Sequence, residues 1–330
     1  MFIPEFTITP KILKNIGSAE YCKAIIETTT ILPAWEAQFK KEVLSKNIYA
    51  NVQLTGLSTN YETVKRYVDG LSANVPQEVV NLKEAYNSTK EISKNKELEE
   101  LSIKFIHQNI TDNLIPKSKR GVYRNKNILN KIDADEVLAY ITEAFDWINS
   151  LDAKENHPLI IAAILKGVFE LIEPFEHYND AVAEIACATY LEISNYDFRG
   201  FISLPSYYLR LQNEYEHNIS SLTGKYPDFT RWMEFFTEAV AYETLSIKEK
   251  VKLIEKDTKI AKASGRAKLS QRQEKIVEYL QDYVMLQNKD FERVFPSISE
   301  DTVLRDLKVL IDMGIVVKRG STKSSRYELK

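Results

Sequence analysis

Only two cysteines occur in 330 residues, and Cys22 and Cys187 lie far apart with no CxxC spacing. A disulfide framework is thereby excluded, and the pair reads as two reduced, buried thiols in a cytoplasmic protein. Histidine is also scarce: His107, His157, His177 and His217 are scattered, away from any cysteine at ligand spacing, so no metal site is expected. No apolar run approaches the roughly 18–20 residues that a membrane span needs, so no membrane contact is expected. The start, MFIPEFTITPKIL, lacks a charged region leading into an apolar core, which argues against secretion. Ten glycines are few for this length, and strand-like alternation is scarce before the C-terminus. The chain therefore reads as mainly α-helical. A net charge of −3 implies no partner for the chain as a whole.

What is present is enough sequence for about two domains. Helical spacing runs over residues 10–45, with an interruption at Leu32-Pro33, then over 63–71, 77–90 and 101–110. The stretch 90–100 is dense in charge and reads as a solvated face or loop. Residues 117–130, KSKRGVYRNKNILN, are basic and then alternate briefly, as in an exposed hairpin. Periodic helices follow over 134–149 and 157–172, the second with a broad apolar face from Leu159 to Ile172. After a loop at 173–180 comes a helix with small residues at Ala181, Ala183, Ala186 and Ala188, which suits a central position in a bundle. Helices over 206–222 and 226–262 complete this part, and Ala263-Ser264-Gly265 reads as a linker. Beyond it, residues 265–330 hold 13 Lys/Arg against 10 Asp/Glu, so a mildly basic module adjoins an acidic body.

The loop and helix start at 173–184 read EPFEHYNDAVAE. With Pro174, Phe175 and Asn179 in register, the stretch resembles the core motif of the Fic family, HPF-x-[DE]-GNGR-x-x-R. Members of that family typically move AMP from ATP onto a protein hydroxyl. Glu173 stands in place of the motif histidine, the general base. His177 replaces the acid that holds Mg²⁺, and imidazole is a poor ligand for that hard cation. Tyr178 and Asp180 replace the glycines whose amides wrap phosphate; Tyr178 is not expected to take positive φ, and Asp180 brings negative charge. Ala181 and Glu184 replace the two arginines, so the cationic clamp is gone. Asp180 or Asn179 is instead expected to cap the following helix, supplying the chain's own anion to the vacated place. A cation site from Glu173, His177 and Asp180 is conceivable from residue type, but no metal is expected there.

The resemblance extends over roughly residues 1–255. His157-Pro158-Leu159 and Phe169 match the family's lead-in, and Ser206–Leu222, with Tyr215, fits the helix that follows the motif. Gly121, Tyr123 and Arg124 resemble its flap hairpin, which is thought to hold a target segment by strand addition. An ordinary exposed hairpin remains the alternative. In NVQLTGLSTNYETV, residues 51–64, Thr55 falls where the family's inhibitory glutamate stands. That glutamate and its arginine partner, Glu184 here, would then both be lost.

Residues 270–329 have the order helix, helix, helix, strand, strand, and RDLKVLIDMGIVVKRG resembles a winged helix-turn-helix. Such modules put the third helix in the DNA major groove and the wing on phosphates. Candidate groove residues are Ser299, Thr302 and Arg305, with Lys308 near the backbone. Candidate wing residues are Lys318, Arg319, Lys323 and Arg326, a cluster without intervening acids. Glu300 and Asp301 at the helix start oppose phosphate, so protein docking stays open beside DNA binding.

The expected fold is thus mainly α: a Fic-like helical bundle with a short flap β-hairpin, plus a C-terminal winged helix-turn-helix. Residues 1–100 would form an N-terminal helical region, 101–262 the Fic-like core and 263–330 the winged helix. The expected function is regulation through DNA or protein binding, with the AMP-transfer site inactive and no cofactor. The alternative is an active adenylyltransferase with a rearranged site, which alone would require ATP and Mg²⁺. A third reading is a scaffold that holds protein segments at the flap. Candidate partners are double-stranded DNA, a protein segment at the flap and a second copy of the chain.

Overall fold

The computed structural model describes residues 2–71, 74–224, 227–263, 269–283, 285–296, 298–320 and 325–330. It divides into two compact units, Met1–Thr28 with Lys41–Lys248, and Thr29–Lys40 with Glu249–Lys330. In chain order the helices begin with α1 (Pro10–Thr28), α2 (Pro33–Leu54), α3 (Tyr61–Val68), α4 (Gln77–Ile92), α5 (Glu100–Ile110) and α6 (Val137–Asn149). There follow α7 (Leu151–Lys154), α8 (Pro158–Ile172), α9 (Asn179–Ile193), α10 (Leu204–Arg210), α11 (Gln212–Ile219) and α12 (Thr230–Ala263). No described helix is long and apolar enough to cross a membrane. Both cysteines are buried and neither forms a disulfide.

The first unit is built around α8 and α9. Helix α8 is apolar nearly all round, so it is buried along almost its whole length. Pro158 opens it at a position that needs no amide hydrogen, and the His157 ring accepts a hydrogen bond from the Leu159 amide at 3.2 Å. Gly167 lets another segment pass close: a Cβ there would meet Leu222 Cδ1 at 2.7 Å and Phe229 Cε1 at 2.8 Å. The Trp232 indole donates to the Ala163 carbonyl at 2.8 Å and ties α12 to α8. Helix α9 packs against α8, α4 and α5, the central position its small residues suggest.

Two local expectations are corrected. The helix expected over 206–222 is broken at Leu211 (φ −119°, ψ 47°) into α10 and α11. The expected flap hairpin at 117–130 forms no strand. There Arg124 gives its amide to the Pro174 carbonyl at 2.9 Å, and its buried guanidinium takes up the carbonyls of Lys126 and Ile132. Backbone acceptors that a hairpin would pair with a second strand are satisfied by this side chain instead.

The second unit contains α13 (Gln271–Tyr283), β1 (Met285–Gln287), α14 (Phe291–Val294), α15 (Glu300–Asp312), β2 (Val316–Arg319) and β3 (Arg326–Leu329). The strands form an antiparallel sheet in the order β1-β3-β2. Its core gathers Ile276, Leu280, Leu286, Phe291, Leu307 and Tyr327. Val303, Leu307 and Leu310 of α15 point inward as the spacing predicts, with Leu304 and Ile311 partly buried. Strand β1 was not anticipated, since three residues are too few to show alternation.

Candidate active-site cavity

The connection between α8 and α9 turns twice through the left-handed region without glycine. Glu173 ends α8 at φ 40°, ψ 68°, and Tyr178 precedes α9 at φ 64°, ψ 22°. Tyr178 therefore does take positive φ, against expectation. Such conformations cost on the order of 1–3 kcal/mol each and persist only where the surroundings over-determine them. Here they do. The Asn179 side chain accepts from the Phe175 amide at 2.9 Å and donates to the Phe175 carbonyl at 2.9 Å. Arg124 donates to the carbonyls of Glu173 at 2.8 Å and Ile172 at 2.9 Å. Phe175 is fully buried and stacks on His107, with centroids 3.9 Å apart and planes 6° apart. His107 Nδ1 accepts from the Gly121 amide at 2.8 Å, and burial lowers the pKa of the ring to about 4. The flap residues Gly121, Tyr123 and Arg124 are thus brought to the loop, but as its supports: Tyr123 lies 5.3 Å from Phe175, and Arg124 is buried.

The capping expectation also fails. Tyr178 is the N-cap of α9 and makes no side-chain cap bond, while Asn179 is spent on the loop and Asp180 lies in the first turn.

Above the loop is a cavity of about 380 Å³, whose lining includes Lys166, Glu170, Glu173, Glu176, Asp180 and Tyr215. Lys131 Nζ bridges Glu170 Oε1 and Glu173 Oε1, each at 2.7 Å. Lys119 Nζ lies 2.5 Å from Glu176 Oε2. Asp180 is exposed to the cavity, and the desolvation it meets there raises its pKa against the attraction of Lys166. At the floor of the cavity, Lys166 Nζ lies 3.1 Å from Glu184 Oε2, with side chains 3% and 6% exposed. Burial opposes the Lys166 charge, but Tyr215, Glu184 and Asp180 together outweigh it and raise the pKa. Glu184 Oε2 has no aligned hydrogen bond, so the pair is held by charge rather than by directed donation. His177 is exposed at the cavity rim. Among the described residues no group of three or more His, Cys, Asp or Glu is placed to hold a metal ion.

Thr55 does not line this cavity but lies against the same motif stretch. With Tyr178 and Ala181 it lines a separate crevice of about 10 Å³, and its hydroxyl donates to the Val52 carbonyl at 2.8 Å. Sequence reasoning missed Lys131, Lys166 and His107. Lys166 left a trace: it is a lone charge within apolar α8, and Glu184 is similarly set among the apolar residues of α9. Two such charges in consecutive packed helices point to each other.

In the second unit, Ser299, Arg305 and Lys308 are exposed along α15 and Thr302 is half-buried. The Ser299 and Thr302 hydroxyls are 2.9 Å apart, and Arg305 donates back to the Asp301 carbonyl at 3.3 Å. Lys318, Arg319 and Arg326 are exposed on β2 and β3, while Lys323 lies outside the described residues. Glu328 pairs with Arg319 at 2.9 Å and with Arg326 at 3.0 Å, because strand pairing places Arg319 opposite Arg326 beside it.

No family model and no curated protein matches the sequence. Solved structures do resemble the fold. A Fic family protein from Desulfovibrio desulfuricans G20 is 17% identical, with a TM-score of 0.63, over 100% of this chain and 98% of that one. Fic-1 from C. elegans, as an E274G variant, is 16% identical with a TM-score of 0.59, over 73% of this chain and 72% of that one. A Fic domain containing signaling protein from Bacteroides thetaiotaomicron VPI-5482 is 17% identical with a TM-score of 0.57, over 73% of this chain and 97% of that one. The protein therefore has the Fic fold, with the 173–184 loop lying between the two helices at its centre.

Proposed function

We propose that this is a Fic-family protein whose AMP-transfer site has been lost, and which works as a regulator by binding. The observation that carries this is the acidic lining of the cavity. Among the described residues Glu170, Glu173, Glu176 and Asp180 line it, against Lys166 alone among the lysines, and Lys166 is already paired with Glu184. A nucleotide triphosphate would have to sit among these carboxylates. Unit charges about 4 Å apart interact by about 4 kcal/mol at an effective dielectric near 20, so each unscreened carboxylate is a substantial penalty. Glu173 is also tied to Lys131, away from the role of free base. Purified protein incubated with labelled ATP, Mg²⁺ and lysate should transfer no label, and Glu173→His alone should restore none. Robust transfer by the unmodified chain would sink the proposal.

Recognition is assigned to the second unit, read as a winged helix. For DNA binding, duplex affinity should fall with salt and weaken when Lys318 and Arg319 become Ala. A specific observation favours protein docking as the second reading: Glu328 pairs with both Arg319 and Arg326 and cancels one of their two charges, and Glu300 and Asp301 are exposed at the start of α15. Absent or salt-independent duplex binding would select that reading.

A further inference from the structure

We infer that the exposed face of α15 selects cytosine and guanine in a DNA major groove, with Asp301 and Arg305 as its specificity-determining residues. The inference rests on the reading of the second unit as a DNA-binding winged helix, and it names the bases that such a unit would choose.

Spacing puts both side chains on one face. Asp301, Arg305, Lys308 and Asp312 recur along α15 at the intervals of one helix face, and all four are exposed. Val303, Leu307 and Leu310 take the opposite side, in the core. Glu300 lies about 100° round the helix from Asp301, and the Asn288 amide donates to its carboxylate at 2.8 Å.

An aspartate four residues before an arginine ordinarily forms an ion pair with it on a helix surface. Here Arg305 Nε donates to the Asp301 backbone carbonyl at 3.3 Å instead. Neither the Asp301 carboxylate nor the two terminal guanidinium nitrogens of Arg305 has a partner among the described residues. One face thus presents an unpaired anionic acceptor beside an unpaired two-pronged donor. These complement the 4-amino donor of cytosine and the O6 and N7 acceptors of guanine, which lie in the major groove.

Charge separates affinity from selection. The α15 face holds two acids and two cations and so has no net attraction for phosphate. On the wing, Lys318, Arg319 and Arg326 outweigh Glu328, so the sequence-independent pull on the backbone falls to β2 and β3. Beside any base that offers no donor, the Asp301 carboxylate meets only acceptors and phosphates and opposes binding. Asp301 and Arg305 are about 6 Å apart along the helix axis. Their bases would then lie one or two steps apart, at about 3.4 Å per step.

The test begins by selecting duplexes from a randomised pool with the full chain at physiological salt. Fluorescence anisotropy then reads affinity for the selected duplex, for the same duplex with its C·G pair replaced by T·A, and for an unrelated duplex. Selected duplexes should share a C·G pair within two steps of a G·C pair, and the T·A replacement should weaken binding about tenfold. Asp301→Ala should weaken the selected duplex about fivefold or more, yet tighten the unrelated one about twofold by removing a repelling charge. Arg305→Ala should relax the choice at guanine, whereas Lys318→Ala should weaken all duplexes alike. Circular dichroism melting establishes that the variants fold; if Asp301→Ala does not, Asp301→Asn serves, and should shift the preference from cytosine to adenine. Asp301→Ala that tightens every duplex alike, or leaves the choice of cytosine intact, would overturn the inference while DNA binding stands. Absence of binding to any duplex would overturn the DNA-binding reading together with it and leave protein docking.

Discussion

Truncating Glu184 to alanine strands the Lys166 ammonium in the middle of the first unit. Both side chains are almost wholly buried, and their 3.1 Å ion pair is the closest compensation for either charge. Removing one member of a buried pair typically costs about 3–5 kcal/mol, because the other is left uncompensated. The imperfect alignment of this pair places the loss at the lower end, about 3 kcal/mol, and the rings of Tyr208 and Tyr215, 5.4 and 5.7 Å from Nζ, soften it further. Urea unfolding followed by tryptophan fluorescence is a direct assay: Trp232 is buried in the same unit and bonds to Ala163, one turn of α8 before Lys166. The double variant Lys166→Met with Glu184→Leu removes both charges at similar volume, and should stay within about 1 kcal/mol of the parent or exceed it. If Glu184→Ala lost less than about 1 kcal/mol, or the double variant lost as much as the single, the pair would not be the buried, charge-compensated unit described.

Other consequences can be checked in the same way. Arg124→Ala should destabilise the chain by about 3 kcal/mol and speed amide exchange over residues 173–178, because four carbonyls lose a common charged donor; Arg124→Lys should recover little, lacking the planar fork. His107 has a pKa of about 4 in the folded chain against 6.5 when unperturbed, so the unfolded chain binds more protons between those values. The stability it contributes is therefore complete above about pH 6.5 and is lost towards pH 4, by up to about 3 kcal/mol; His107→Phe should flatten that part of a urea-midpoint profile. Gly167→Ala should cost about 1–3 kcal/mol in thermal or urea unfolding, since the new methyl meets Leu222 and the Phe229 ring below 3 Å.

Much of the helical frame is legible in the sequence, because long apolar periodicity survives any tertiary context. The α8 stripe, the break before Pro33 and the inward face of α15 are of this kind. The loop shows where periodicity stops being informative. Tyr178 in the left-handed region contradicts its intrinsic preference, and the reason lies in partners distant in sequence: His107 under Phe175, and Arg124 across the carbonyls of 172 and 173. The flap failed for a related reason. Alternation in 117–130 suggested paired strands, but the arginine that ends Gly-Val-Tyr-Arg turns inward and satisfies the carbonyls itself. Glu328 was overlooked beside the wing because only strand register brings it between Arg319 and Arg326.

By itself, the sequence determined the helical architecture and the chemistry available at residues 173–184, since residue type and apolar spacing are local properties. It also determined what is missing there, a histidine, an acid, two glycines and two arginines relative to the motif it resembles. Only the tertiary structure decided where the charges go. Glu184 is buried against Lys166, Glu173 is bound to Lys131, and Asp180 is left facing an open, acidic cavity. Electrostatic compensation depends on distance in space and on exclusion of water, and neither is written in the order of residues along the chain.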